Sequence, residues 1–101
     1  MDRRLMFQDL LEEVLGSENV YFQPPPNVAM AYPCIIYKRD RSDMKSADNI
    51  LYAHKIRYQV TVVDRDPDSL IPGKVAELPY CIFDRFYTAD GLNHDVFKIF
   101  Y

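Results

Sequence analysis

The pattern that most constrains the fold is the alternation of apolar and polar residues over residues 55–62, within a predicted strand of residues 55–63. Every second position in this segment is apolar: Ile56, Tyr58, Val60 and Val62. Side chains of a β-strand point alternately to its two faces, so the segment predicts a strand with one buried and one polar face. Because antiparallel sheets can leave one face to water, we expect an antiparallel sheet that is covered on one side.

Further strands are predicted on both sides of this one. Residues 32–39 form an apolar run in which Ile35 and Tyr37 point to one face and Cys34, Ile36 and Lys38 to the other. Residues 81–88 and 94–101 predict a closing hairpin around the turn dipeptide Asp90-Gly91. The last twenty residues hold six of the fourteen aromatic side chains, so we expect the hairpin to need a partner surface.

Two helices are expected beside the sheet. Apolar residues recur at helical spacing over residues 2–15, and Gly16 stands where a C-terminal cap belongs. A shorter helix is predicted at about residues 73–79, with Asp66 or Asp68 as the cap at its start.

These elements predict one domain, residues 1–101, of the α+β class. We expect an antiparallel sheet of about four strands with two helices packed on one face. The N-terminal helix, residues 2–15, is joined by a stiff proline-rich spacer, residues 23–27, to the sheet and short helix of residues 32–101. The length of 101 residues suits one modest core.

Composition and motifs argue against several classes of function. The net charge of −3 disfavours tight nucleic-acid binding, and no apolar run is long enough to span a membrane. The three glycines form no phosphate-binding loop, and no nucleophile elbow is present. We therefore predict no catalytic, cofactor or metal site. Asp84, Asp90, His94 and Asp95 are the best candidates for a metal, but their positions are explained by a turn and a strand.

The two cysteines, Cys34 and Cys81, lie in apolar runs. The N-terminal residues lack the continuous apolar stretch of a signal peptide, so we expect both thiols to be reduced and packed in the core. A nucleophilic pair of Cys81 with His94 is disfavoured, because apolar surroundings raise the pKa of a thiol.

A long polar segment, residues 40–49, separates the first two predicted strands. Residues 38–48 carry four positive and three negative side chains, an alternation suited to pairing with a complementary neighbour. A solvated or protein-facing loop is favoured over a phosphate site. The residues predicted to form an interface between protein chains are Arg39, Asp40, Arg41, Asp43, Lys45, Asp48 and Arg57.

The whole chain resembles the small tail terminator proteins of long-tailed bacteriophages and prophages, also called tail completion or tail-to-head joining proteins. The resemblance lies in the order of features. These are the amphipathic helix of residues 5–15, the strand 32–37 after a proline-rich connection, the long polar loop, the strand Tyr58–Asp64, the Asp-Pro-Asp-Ser start of a short helix, and the segment Phe83–Tyr87 with its closing hairpin.

The resemblance implies a structural virion protein of the neck and not an enzyme. Such proteins form a ring, usually a hexamer, on the head-proximal end of the tail tube. The ring stops tube polymerisation and joins the tail to the head connector or stopper protein, while DNA passes through the lumen without specific binding. The implied location is the virion, with assembly in the host cytoplasm and no membrane contact.

Two alternatives remain beside the terminator interpretation. Head-completion or stopper proteins of the neck are similar in size, and a generic protein-interaction domain accounts for the same composition.

The family's loop between the first two strands contacts neighbouring rings or lines the channel, which corresponds to residues 40–49 here. This chain is shorter than many members of the family, and we expect no extension after Tyr101, so we expect none of the contacts that such an extension makes.

Overall fold

The computed structural model describes residues 3–40 and 55–101. It confirms the α+β class. In chain order, its elements are the helix α1 (Arg3–Leu15), the strands β1 (Val20–Phe22), β2 (Cys34–Arg39) and β3 (Arg57–Asp64), the helix α2 (Ile71–Ala76), and the strands β4 (Cys81–Ala89) and β5 (Leu92–Phe100).

The described strands form one five-stranded sheet in the order β1-β2-β3-β5-β4. The prediction of about four antiparallel strands missed β1, which pairs in parallel with β2, so that Val20 lies beside Ile35. The proline-rich spacer therefore lies between β1 and β2 and not between the helix and the sheet. It belongs to the connection that returns the chain so that the two strands run in the same direction. The other three strand pairs are antiparallel, as predicted.

The main core lies between one face of the sheet and both helices, which confirms their predicted placement. Phe7 and Leu11 of α1 and Val75 of α2 are completely buried in it. Phe7 is central, because its ring lies 4.8 Å from that of Tyr58 and 4.9 Å from that of Tyr101, centroid to centroid. The predicted alternation in β2 and β3 is confirmed on this face, which receives Ile35, Tyr37, Tyr58, Val60 and Val62.

The face of the sheet opposite the helices is less polar than the alternation predicts. Thr61 and Val63 of β3 point to this face and are both buried. Val96 of β5 lies beside Thr61, and Cys34 of β2 lies beside Val63, and these two residues are buried as well. The central strands therefore have apolar contacts on both faces, although only one face is covered by helices.

The cap predicted for α2 is wrong. Its cap residue is Leu70, which has no capping side-chain hydrogen bond, and Pro72 occupies the first turn. The carboxylate of Asp66 instead accepts a hydrogen bond from the backbone N–H of Asp68, which holds the preceding turn. The helix starts at Ile71 and not at residue 73, because proline is tolerated in the first turn. Gly16 does end α1, with a φ of +83°.

The closing hairpin is confirmed. Ala89 pairs with Leu92 across the two-residue loop of Asp90 (φ +54°) and Gly91 (φ +74°), both left-handed. A β-bulge interrupts the register between Phe83 and Arg85.

Candidate functional site

A charged corner lies where β2 ends, and it contains two of the predicted interface residues. The Nε atom of Arg57 lies 3.2 Å from Oδ2 of Asp40. Lys98 of β5 donates a hydrogen bond from Nζ to the same carboxylate oxygen and another, of 3.1 Å, to Oε1 of Gln59. The backbone N–H of Asp40 also donates to the carbonyl of Arg57, at 2.9 Å. One carboxylate thus connects residues of β3 and β5 at the end of β2.

The two cations determine the ionisation of Asp40. Burial by itself raises the pKa of this carboxyl group, but the hydrogen bond and charge of Lys98, together with the charge of Arg57, outweigh that effect and lower it from 3.8. Asp40 therefore carries a full negative charge at neutral pH. The corner has more positive than negative charge, because Asp40 faces both Lys98 and Arg57.

The structure brings together only some of the predicted interface residues. Arg39 is exposed, and its backbone N–H donates to Oε1 of Gln23. Asp40 and Arg57 pair with each other within the chain, although we expected them to pair between copies. The other four predicted residues, Arg41, Asp43, Lys45 and Asp48, lie outside the described residues.

The second candidate surface is β4, which forms an edge of the sheet. Large apolar side chains are exposed along it: Ile82 at 56%, Phe83 at 54%, Phe86 at 53% and Tyr87 at 41%. The ring of Phe83 contacts that of Phe97 edge-on, at 5.5 Å between centroids, which holds it in place. Several exposed apolar side chains of this size along one edge strand are typical of surfaces that bind another protein.

The sequence signalled this surface through its aromatic content but did not reveal its position. The hairpin could have placed either of its strands at the sheet edge. The structure places β5 beside β3, which leaves β4 outside. We also missed the bulge in β4, for which the sequence carries no glycine or other local signal.

Two shallow depressions accompany these surfaces. One, of about 240 Å³, lies on the face opposite the helices, where the ring of Tyr87 stacks on that of His94 at 4.5 Å. The other, of about 290 Å³, is largely apolar and lies between α1 and the segment that follows α2, with Leu10, Leu78 and Tyr101 in its wall.

The two thiols are free in the structure. Burial raises the pKa of Cys34 to about 11, with a contribution from the charge of Asp64, and burial raises the pKa of Cys81 to about 11. Cys81 lies beside Ile99 on the helix-covered face, whereas His94 lies beside Tyr87 on the other face, so they do not form a pair. The described residues contain no group of three or more potential metal ligands.

Comparison with known protein families, with curated proteins and with solved structures finds no match for this chain. Among the described helices, neither combines the length and the apolar character that crossing a membrane requires.

Proposed function

We propose that the chain is a structural subunit of a protein assembly. The observation that carries this proposal is the exposed apolar edge strand β4, where four large side chains are between 41% and 56% exposed. Leaving such side chains in water is unfavourable, and a partner protein that covers them recovers about 25 cal/mol for each Å² of apolar surface buried. Unpaired strand edges are also templates for association with other chains.

Within that class, the proposed role is that of a tail terminator of a long-tailed bacteriophage. The chain would form a ring, hexameric in our proposal, on the tail tube, stop its growth and present a surface to the head connector. Supporting features are the order of elements, the helices on one face, and the charged corner from which residues 41–54 depart. The net charge of −3 on each copy suits a lumen through which DNA passes, since acidic residues outnumber basic ones and disfavour tight phosphate binding.

The charge of the segment that follows this corner in sequence is the part of the proposal that mutation tests best. Arg41 and Lys45 lie in the segment that connects β2 to β3 and are expected to pair with acidic residues of the adjacent copy. Each exposed pair contributes at most about 1 kcal/mol, but a ring repeats the contact at every interface. Reversing both charges together adds repulsion at each of these contacts.

The experiment compares tails assembled with the Arg41→Glu/Lys45→Glu variant and with the wild-type chain. We expect a folded protein that fails to close rings, and tail tubes that grow beyond their normal length in electron micrographs. The Arg65→Glu/Lys74→Glu variant has the same change of net charge at exposed positions away from the corner. It should assemble normally.

Three outcomes would count against parts of the proposal. Normal tails joined to heads in the Arg41→Glu/Lys45→Glu variant would show that these charges form no interface. Tails of normal length that fail to join heads would indicate a stopper protein instead of a terminator. Native mass spectra of the wild-type chain that show no ring in the presence of tail tubes would contradict the ring itself.

A further inference from the structure

The two edges of the sheet differ in their capacity to accept another strand. At the β1 edge, the strand is only three residues long, and local groups already bind its backbone. The carbonyl of Val20 accepts a hydrogen bond of 3.0 Å from Nε2 of Gln8, and its N–H donates to the carbonyl of Glu18 at 2.8 Å. These contacts protect β1 from association, as natural edge strands commonly are protected.

The β4 edge has no such protection among the described residues. The strand is nine residues long, and no described strand lies along its outer side. Backbone groups of an antiparallel strand point alternately toward and away from the neighbouring strand. The N–H of Phe100 bonds to the carbonyl of Tyr80, so the backbone groups of Tyr80 point toward β5. By alternation, the backbone groups of Cys81 and Phe83 point away from β5. At the other end of β4, Ala89 pairs with Leu92 beside the hairpin loop. Alternation back along the strand from Ala89 shows that the backbone groups of Thr88 and Phe86 also point away from β5.

The bulge changes which side chains share a face. In a regular strand, residues 83 and 86 would point to opposite faces, because three positions separate them. The extra residue at the bulge instead places Phe83 beside Phe97 and Phe86 beside Asp95, both on the helix-covered side of the sheet. By the same shift, Ile82 and Tyr87 share the opposite face. The bulge thus makes β4 symmetric about its centre, between Asp84 and Arg85.

The sequence of β4 matches this symmetry. Read in either direction from its centre, the segment Ile-Phe-Asp-Arg-Phe-Tyr (residues 82–87) presents a charged residue, then a phenylalanine, then another large apolar side chain. The two central charges have opposite signs. In an antiparallel pair of two such strands, Asp84 of each copy therefore faces Arg85 of the other, and the phenylalanines face one another.

We propose that two copies of this chain associate through β4, antiparallel and about a two-fold axis between Asp84 and Arg85. Phe83 of each copy then lies opposite Phe86 of the other, and both belong to the outward-pointing set that can exchange backbone hydrogen bonds. Ile82 lies opposite Tyr87 on the other face. The two bulges coincide at the axis, so neither strand carries an extra residue that the other lacks. The two sheets become one.

Charge selects this arrangement. Within one copy, Nη1 of Arg85 already bonds to Oδ2 of Asp84 at 2.7 Å, and the Arg85 side chain is 55% exposed. Antiparallel pairing about the two-fold axis forms two contacts between the copies, each between Asp84 of one copy and Arg85 of the other. A parallel pairing in register would instead place like charges beside each other. A second copy of this chain is therefore the binding partner whose charges complement those of β4.

This contact uses the same exposed strand, β4, that supports the proposed assembly role, but it does not require the chain to form a ring. A two-fold contact joins copies in pairs and does not by itself close a ring. Arg39, Asp40 and Arg57 lie at the ends of β2 and β3, and β5 separates these strands from β4. The charged corner is thus left available in the dimer, and either contact can be tested without the other.

The first experiment is a charge-exchange series measured by light scattering and sedimentation of the purified chain over the micromolar range. We expect a dimer for the wild type and, for Arg85→Asp or Asp84→Arg alone, dimer dissociation constants raised at least about tenfold. The double variant Asp84→Arg/Arg85→Asp restores opposite charges at both contacts, so it should dimerise like the wild type. Circular dichroism checks that every variant is folded.

The second experiment tests the register with a disulfide. The proposed pairing places Thr88 of one copy opposite Cys81 of the other, and in one chain these residues are about 20 Å apart along the strand. Thr88→Cys should give a covalent dimer on catalysed oxidation at alkaline pH, which compensates for the raised pKa of Cys81. The Cys81→Ser/Thr88→Cys variant should not form that bond.

A monomeric wild-type chain, a dimer unaffected by the single reversals, or a double variant that stays dissociated would each overturn the proposal. Each of these outcomes would leave the proposed terminator function intact. A β4 dimer that never forms rings on tail tubes would have the opposite meaning, because it would support the pairing and contradict the ring.

Discussion

At the scale of single residues, Asp40 was predicted from the sequence to lie in an interface between chains, and in the structure it pairs with cations of its own chain. Its carboxylate accepts from Lys98 of β5 and lies against Arg57 of β3, at the point where β2 ends. The three groups are partly buried, with side-chain exposures of 17% to 27%. Each group loses part of its hydration on burial, and the ion pairs and hydrogen bonds among the three compensate for that loss.

We expect Asp40→Asn to lower the free energy of unfolding by about 1–3 kcal/mol at neutral pH, because it leaves Lys98 and Arg57 partly buried without their anion. The pKa of Asp40 is lowered in the folded chain, so its ionised form stabilises the fold above pH 3.8, and this contribution disappears as the pH falls through the lower folded-state value. Urea denaturation of wild type and variant should give curves that converge on acidification.

Asp9→Asn is the matched control for this prediction, because Asp9 lies exposed on α1. It should change the free energy of unfolding by no more than a few tenths of a kcal/mol. A difference between wild type and Asp40→Asn that stays constant down to strongly acidic pH would show that packing of the side chain, and not its charge, stabilises the corner.

At the scale of elements, the β4–β5 hairpin is set by its turn. A two-residue loop with both residues left-handed twists in the same sense as the strands that it joins, which fixes the register from Ala89–Leu92 onward. The bulge then adds one residue to β4, and the register beyond it is shifted. Local turn geometry and one extra residue together determine which side chains β4 exposes on each face.

Two glycines give a matched pair for testing the turn. No atom lies within 4 Å of a Cβ built at Gly91 or at Gly73, so alanine meets no steric obstacle at either position. Gly91 has a φ of +74°, and alanine there should cost about 1 kcal/mol. Gly73 lies inside α2, and alanine there should stabilise by about 0.5–1 kcal/mol. Thermal unfolding of both variants should show shifts of opposite sign, and shifts of equal sign would contradict the assignment of the turn.

At the scale of the whole molecule, all the described strands belong to one sheet, and both described helices pack on it. Both helices cover one face, the charged corner lies at the end of β2, and β4 forms an exposed edge. The central strands β3 and β5 pair over eight residues, from Arg57–Phe100 to Asp64–Asn93. Because these strands are held from both sides, connections at the ends of the sheet can change without disturbing the core.

Deleting residues 42–49 is expected to leave the fold intact and to abolish assembly onto tail tubes. The backbone N–H of Asp40 bonds to the carbonyl of Arg57, so the ends of the connection already lie side by side, and a shorter connection costs less closure entropy. The melting temperature should therefore stay the same or rise. Circular dichroism and electron microscopy of tails measure the two effects. An unfolded deletion variant, or infectious particles with normal tails, would each contradict this expectation.

The sequence by itself determined the elements whose signals are local. The alternation of residues 55–62 predicted β3, the helical spacing of Phe7 and Leu11 predicted the buried side of α1, and Asp90-Gly91 predicted the closing turn. Each of these signals arises within a few residues, because strand pleating, helix periodicity and turn dihedrals depend on near neighbours in the chain. The α+β class followed from their order.

Only the tertiary structure decided what depends on residues far apart in sequence. The three residues of β1 become a strand because β2 offers them an edge, and Asp40 is paired because Lys98, fifty-eight positions later, is brought beside it. Strand order likewise decided that β4 and not β5 lies at the edge, and so where the exposed apolar side chains stand. Pairing energies between distant segments determine these features, and no local pattern of residues encodes them.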